Sequence, residues 1–166
     1  MSTASPPPAW GHSNSFVTLS PADPIRTDEQ ARDRLQILDA VNRYSWSYDE
    51  RQLDALAAAF TEDAVWEGSV AGTAAIDPLR GRDAIVDWLK GHMASQDDQR
   101  RHNTLNHVVL AQAADSASVI TYLLLTSASS GQVRVVTSGF YHFDLVRSEV
   151  GGWLIRRLFG GFDCPF

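Results

Sequence analysis

Apolar side chains recur at helical spacing through Ala31, Leu35, Ile37, Leu38, Val41, Tyr44 and Trp46, which predicts an amphipathic helix over 28–48. Thr27-Asp28-Glu29-Gln30 supplies a capping box at its start, with two acids at the positive end of the helix dipole. A shorter apolar set, Leu53, Leu56, Ala57 and Phe60, predicts a second helix over about 51–60. Thr61-Glu62-Asp63 breaks it, and a strand is expected to begin at Ala64-Val65-Trp66. Gly68 to Gly81 reads as a loop with room for a short edge strand. Ile85, Val86, Trp88, Leu89 and Met93 then form the buried side of a third helix, from Asp83 to Met93.

Beyond that helix the period changes. Residues 101–112, 117–128, 133–146 and 152–160 are rich in Val, Ile, Thr, Tyr and Phe, and the breaks between them suit hairpin turns. Helices followed by a meander of long strands predict an α+β fold. A curved sheet wrapped around three N-terminal helices would leave a conical pocket between the layers. Residues 1–26 hold five of the seven prolines and little apolar periodicity, so they read as a flexible or surface-draped arm, and 27–166 as the folded domain.

Composition narrows the partners. A net charge of -6 weighs against nucleic acid, whose phosphates call for a basic surface. No stretch approaches the roughly eighteen apolar residues of a membrane span. The N-terminus has neither a basic start nor an apolar core, so no secretory signal is expected and a cytoplasmic location is. Cys164 is the single cysteine, which leaves no internal disulfide and no cysteine-based metal site.

Candidate chemistry is sparse. Alternation along 101–112 puts His102, Thr104, Asn106, Val108 and Leu110 on one face, with Arg101, Asn103, Leu105, His107 and Val109 on the other. The first set grades from polar to apolar, as a strand running from a pocket mouth into a core would. Asp49 closes the first helix about fifty residues earlier. If the fold brings them together, the carboxylate can orient the imidazole, and the pair can take a proton from a carbon acid. The plainer alternatives are a hydrogen-bonded structural histidine and an aspartate capping the second helix. Tyr44 could donate a hydrogen bond to a developing enolate, with Tyr48 as its neighbour, or both could be core. Trp46, Trp66 and Trp88, with Phe60, would supply apolar walls or simply pack. His12, His92, His107 and His142 read as structural. No phosphate loop, dinucleotide fingerprint or Gly-x-Ser-x-Gly elbow occurs. His102 and His107, expected on opposite faces, could not chelate one metal. No metal and no cofactor are expected.

Several segments together resemble a known family: Tyr44…Tyr48-Asp49, Phe60-Thr-Glu-Asp63-Ala-Val-Trp66, Gly81-Arg-Asp-Ala-Ile85, Arg101-His102…Asn106, Gly139-Phe-Tyr141 and Gly152-Trp153-Leu-Ile155. The chain over about 28–162 resembles the SnoaL-like branch of the NTF2-like superfamily. The resemblance implies a cone of helices on a curved mixed sheet. Members of the scytalone dehydratase and bile-acid 7α-dehydratase type share an Asp–His pair, which the resemblance places on Asp49 and His102. It also matches Tyr44 and Tyr48 to their tyrosines. It implies a cofactor-independent lyase or isomerase acting on a hydrophobic cyclic small molecule; on the residue reading, Tyr44 with Tyr48 or Asn106 would then bind the substrate oxygen, and Trp46, Trp66 and Trp88 would wall the pocket. Polyketide cyclases and ketosteroid-type isomerases would use the same residues on other substrates. Gly139 stands where the fungal dehydratase has asparagine, and no acid lies among Tyr122 to Thr126, so substrate and leaving group do not carry over. Other relatives are non-catalytic, among them the β subunits of aromatic-ring dioxygenases. Such cones usually bury the outer sheet face, here Tyr122, Leu124, Phe140 and Leu154, in a dimer or trimer, so a homo-oligomer is expected.

Overall fold

The computed structural model describes residues 19, 21–22, 24–72 and 74–166. His12 and most of the proline-rich arm lie outside them. Helix α1 (Asp28–Asp49) starts as its sequence dictates: the Thr27 side chain accepts a hydrogen bond from the Gln30 backbone N–H. The Gln30 side chain in return accepts from the Arg26 N–H at 2.8 Å. Ile37, Val41, Tyr44 and Tyr48 form its buried face. Helix α2 (Leu53–Ala58) is shorter than its apolar spacing suggested, because Phe60 already belongs to strand β1 (Phe60–Val70). The segment expected to be a loop extends β1 to Val70 and then forms β2 (Ala74–Arg80). Helix α3 (Arg82–Ala94) follows, then β3 (Gln99–Gln112), β4 (Ser116–Ser129), β5 (Gln132–Arg147) and β6 (Trp153–Phe162).

The six strands form one mixed sheet in the order β2-β1-β6-β5-β4-β3. β1 and β6 run parallel, and the other neighbours are antiparallel. β2 is an edge strand, which is why it tolerates Pro78: its register with β1 shifts there. β1 can lie close to β6 because Gly68 has no side chain; a Cβ would stand 2.6 Å from the Gly160 carbonyl oxygen. The helices cover one face of the sheet, and Tyr44, Phe60, Trp66, Phe143 and Leu158 are fully enclosed between the layers. Among the described residues no helix is long and apolar enough to cross a membrane.

Strand β3 departs from simple alternation. Its register against β4 slips between Leu105 and Val108, and Asn106 has a positive φ of 54°. This bulge inserts one extra residue, and the Thr121 hydroxyl ties it by donating to the Leu105 carbonyl at 2.7 Å. A one-residue slip exchanges the two faces. His102 and Thr104 stay on the helix side, opposite Leu125 and Leu123. Past the bulge Val109 takes that side, opposite Val119, while Val108 pairs with Ile120 on the outer face. His107 therefore shares the face of His102 instead of opposing it.

Candidate active site

Asp49 is the last residue of α1, an unfavourable place for a carboxylate next to the negative end of the helix dipole. No basic residue sits in that last turn to offset it. The helix ends there through a Schellman-type turn. Arg51 has φ 54°, its N–H donates to the Tyr48 carbonyl at 3.0 Å, and the Gln52 N–H donates to the Ser47 carbonyl at 2.9 Å. Gln52, not Asp49, precedes α2, and its side chain makes no capping bond.

The carboxylate is satisfied from β3 instead. Oδ2 accepts the His102 backbone N–H at 2.8 Å and Oδ1 lies 2.6 Å from His102 Nδ1. Both side chains are nearly covered, 7% exposed for Asp49 and 9% for His102. Gln99 on the same strand adds a second tie, donating from Nε2 to the Asp49 carbonyl at 2.9 Å. Hydrogen bonds to a charged group are each worth about 1.5–3 kcal/mol, so helix end and strand are held in register. An ionised carboxylate can only accept, so a neutral imidazole in this contact would carry its proton on Nδ1 and leave Nε2 a lone pair.

His102 lines a small cavity together with Tyr44, Tyr48, Trp66 and Trp88. The Tyr48 ring meets the imidazole edge-on at 4.8 Å, and Tyr141 lies parallel to it at 6.4 Å. Trp66 Nε1–H donates to the Tyr44 oxygen at 3.3 Å, which leaves the Tyr44 proton to be donated elsewhere. Gln96 Nε2 donates in the same way to the Tyr48 oxygen at 3.2 Å. Burial pushes the phenols of Tyr44, Tyr48 and Tyr141 above the ordinary tyrosine value, so all three stay protonated donors at neutral pH.

Trp46 and Asn106 are not brought to this cavity. Trp46 is 67% exposed, and Asn106 is exposed at the bulge. Gln96, Arg100, Tyr141, Phe162 and Phe166 also line it, beyond the candidates that the sequence offers. His92, expected to be structural, lies there too, 4.2 Å from the Trp88 ring, and burial holds its pKa below the usual histidine value. Gly139 admits no side chain, since a Cβ would come within 2.0 Å of the Gly161 carbonyl oxygen. The polar residue expected of a fungal-dehydratase site therefore has no place at this position.

The cavity volume is about 40 Å³, room for a water or two rather than a ring. Phe166, half exposed, packs its ring 4.4 Å from Phe162 at the edge. A larger concavity of about 520 Å³ is an open groove between α1, α2 and the turn before β6. It holds Trp46 and the solvated Asp39–Arg43 pair but none of the dyad. The Asp49–His102 pair and the hydroxyls of Tyr44 and Tyr48 lie at the smaller space. Among the described residues no group of three His, Cys, Asp or Glu could hold a metal ion.

Helices packed on one face of a six-stranded mixed sheet in this order define an NTF2-like fold. The chain belongs to the SnoaL-like domain family, whose model matches residues 29–158. It is similar to a Mycobacterium tuberculosis protein of unknown function (25% identity, 82% of this chain and 75% of that one, TM-score 0.70). It is also similar to an NTF2-like protein with a cystatin-like fold from Novosphingobium aromaticivorans (22% identity, 81% and 84%, TM-score 0.68). A third similar structure is ActVI-ORFA from Streptomyces coelicolor (24% identity, 78% and 97%, TM-score 0.67). No curated protein matches the sequence.

Proposed function

We propose that the protein is a cofactor-independent lyase or isomerase that moves a proton on a hydrophobic cyclic small molecule in the cytoplasm. The observation that carries this reading is the covered Asp49–His102 pair, 2.6 Å apart at the wall of a cavity rich in protonated phenols. His102 Nε2 removes a hydrogen from carbon, the electron pair moves into the adjacent carbonyl, and Asp49 stabilises the imidazolium that results. Tyr44, or Tyr48, donates to the enolate oxygen as charge develops on it. The imidazolium then returns its proton, either to another carbon, which isomerises, or to a leaving hydroxyl, which completes an elimination. The test is exchange of the acidic C–H hydrogens of a simple probe, 2-tetralone, into D₂O. Catalysed exchange supports the reading; exchange no faster than with free imidazole contradicts it.

The small cavity favours a second reading, a non-catalytic relative that keeps the pair for structure. The two differ in what opening the cavity does. Phe166→Ala removes the ring at its edge and is expected to tighten 2-tetralone binding several-fold, measured by quenching of Trp66 and Trp88 fluorescence. Unchanged binding, with no affinity in either protein, favours the second reading.

We also propose a homo-oligomer through the outer sheet face. Leu105 and Tyr122 are paired neighbours there, 47% and 61% exposed, and Val133 and Val135 extend the apolar surface. Phe140 beneath them is already covered, and Leu154 lies instead beside the α1–α2 groove. Light scattering at micromolar concentration is expected to give a dimer or trimer. A Tyr122→Asp variant should shift it toward monomer, and a monomeric wild type counts against this assignment.

A further inference from the structure

The cavity contains one strong hydrogen-bond donor that the proton-transfer scheme does not use. Arg100 lies two residues before His102 on β3, so alternation places both on the helix side, and both line the cavity. Its side chain is only 14% exposed. Arg100 Nε is spent on Asp98, at 2.9 and 2.8 Å from the two carboxylate oxygens. Asp98 is itself 5% exposed and also accepts a hydrogen bond from the Ser127 hydroxyl. That bond and the guanidinium hold its carboxyl below the usual range, so the Arg100 side chain is anchored to a permanent anion. The anchoring points the fork without exhausting it: Nη1 is buried and has no hydrogen-bond partner among the described residues.

A buried guanidinium N–H without an acceptor costs free energy unless a ligand or water completes it. The phenols beside it also donate. Tyr44 accepts from Trp66 and shares a further hydrogen bond with Tyr141, while Tyr48 accepts from Gln96 and keeps a hydroxyl proton to give. Among these groups the acceptor is His102 Nε2, which the scheme reserves for the labile hydrogen. Such an inventory selects oxygen that only accepts, and a cation within it selects negative charge.

We propose that Arg100 is the substrate-recognition residue of this cavity and that its ligand carries an anionic oxygen, a carboxylate or the enolate of an acidic dicarbonyl, bound by Nη1. This rests on the cavity being the substrate site, but it does not require His102 to act as a base. Asp98, held by Ser127, is the positioning residue that aims the fork. Ring substrates without acidic oxygen are discriminated against because they leave Nη1 unpaired.

Three probes of three heavy atoms each, small enough for this cavity, separate charge from shape: formate, formamide and ethanol, titrated by calorimetry into the full chain. Wild type is expected to bind formate about tenfold or more tighter than either neutral probe. Arg100→Gln removes that preference while leaving formamide within about twofold, and His102→Ala keeps it. Should Arg100→Gln fail to fold because Asp98 is stranded, the double variant Arg100→Gln/Asp98→Asn removes both charges and is expected to lose the preference in the same way. The proposal is overturned if wild type does not bind formate, binds all three probes alike, or keeps its preference without Arg100. Loss of preference in the Arg100 variants, with hydrogen exchange unchanged in Asp49→Asn and His102→Gln, would leave the anion site standing and remove the proton-transfer reading.

Discussion

His102→Gln is expected to lower catalysed hydrogen exchange by about 10²–10⁴-fold while the protein stays folded. Glutamine spans a similar distance and can still donate to Asp49, so the strand–helix tie survives and only the base is lost. The same reasoning sets a second outcome for Asp49→Asn. The amide oxygen can still accept the His102 backbone N–H that now lies 2.8 Å from Oδ2. Its NH₂ would then face Nδ1 as a donor and drive the imidazole proton onto Nε2, the atom that has to be empty. Exchange is therefore expected to fall by a comparable factor with little change in stability. Equal activity in wild type and both variants would mean that the pair is a structural tie.

Trp66→Ala is expected to cost about 3–5 kcal/mol of stability, the range for a large aromatic removed from a close-packed core. Trp66 is 2% exposed, its ring lies 4.7 Å from Trp88, and its indole N–H donates to the Tyr44 oxygen. The substitution removes the packing, leaves a cavity between β1 and α3, and takes a hydrogen bond from a buried phenol. Chemical denaturation reads the loss directly. A change below about 1 kcal/mol would mean that the helices settle onto the sheet and fill the space.

Much of this architecture is legible in the sequence because it follows from period and caps. Thr27 to Gln30 opens α1 where the capping box lies, and the four long strands fall close to their apolar runs. The Asp49–His102 meeting is different, because only tertiary packing closes a gap of 53 residues. Local spacing raises it as a condition, and the family resemblance supplies the pairing. Trp46 departs from expectation because an apolar stripe has an angle as well as a spacing. At about 100° per residue it lies opposite Ile37, Val41, Tyr44 and Tyr48. Asn106 fails for another reason: a bulge is a backbone event at a residue that tolerates positive φ, and alternation carries no sign of it. Arg100 is within reach, since period two puts it beside His102, but an arginine ahead of a strand reads as solvated until Asp98 and Ser127 are seen to bury it. The cavity volume has no sequence signature at all; it depends on how the rings of Trp88, Phe162 and Phe166 close on one another.

The central claim is that a carboxylate at the end of α1 fixes the tautomer of one histidine. Histidine ring ¹⁵N–¹H correlation spectra above the imidazole pKa test it most directly. Wild type should show His102 protonated at Nδ1 and bare at Nε2, and Asp49→Asn should reverse that assignment. A His102 ring protonated at Nε2 in the wild type, or a tautomer indifferent to the loss of the carboxylate, would contradict the account.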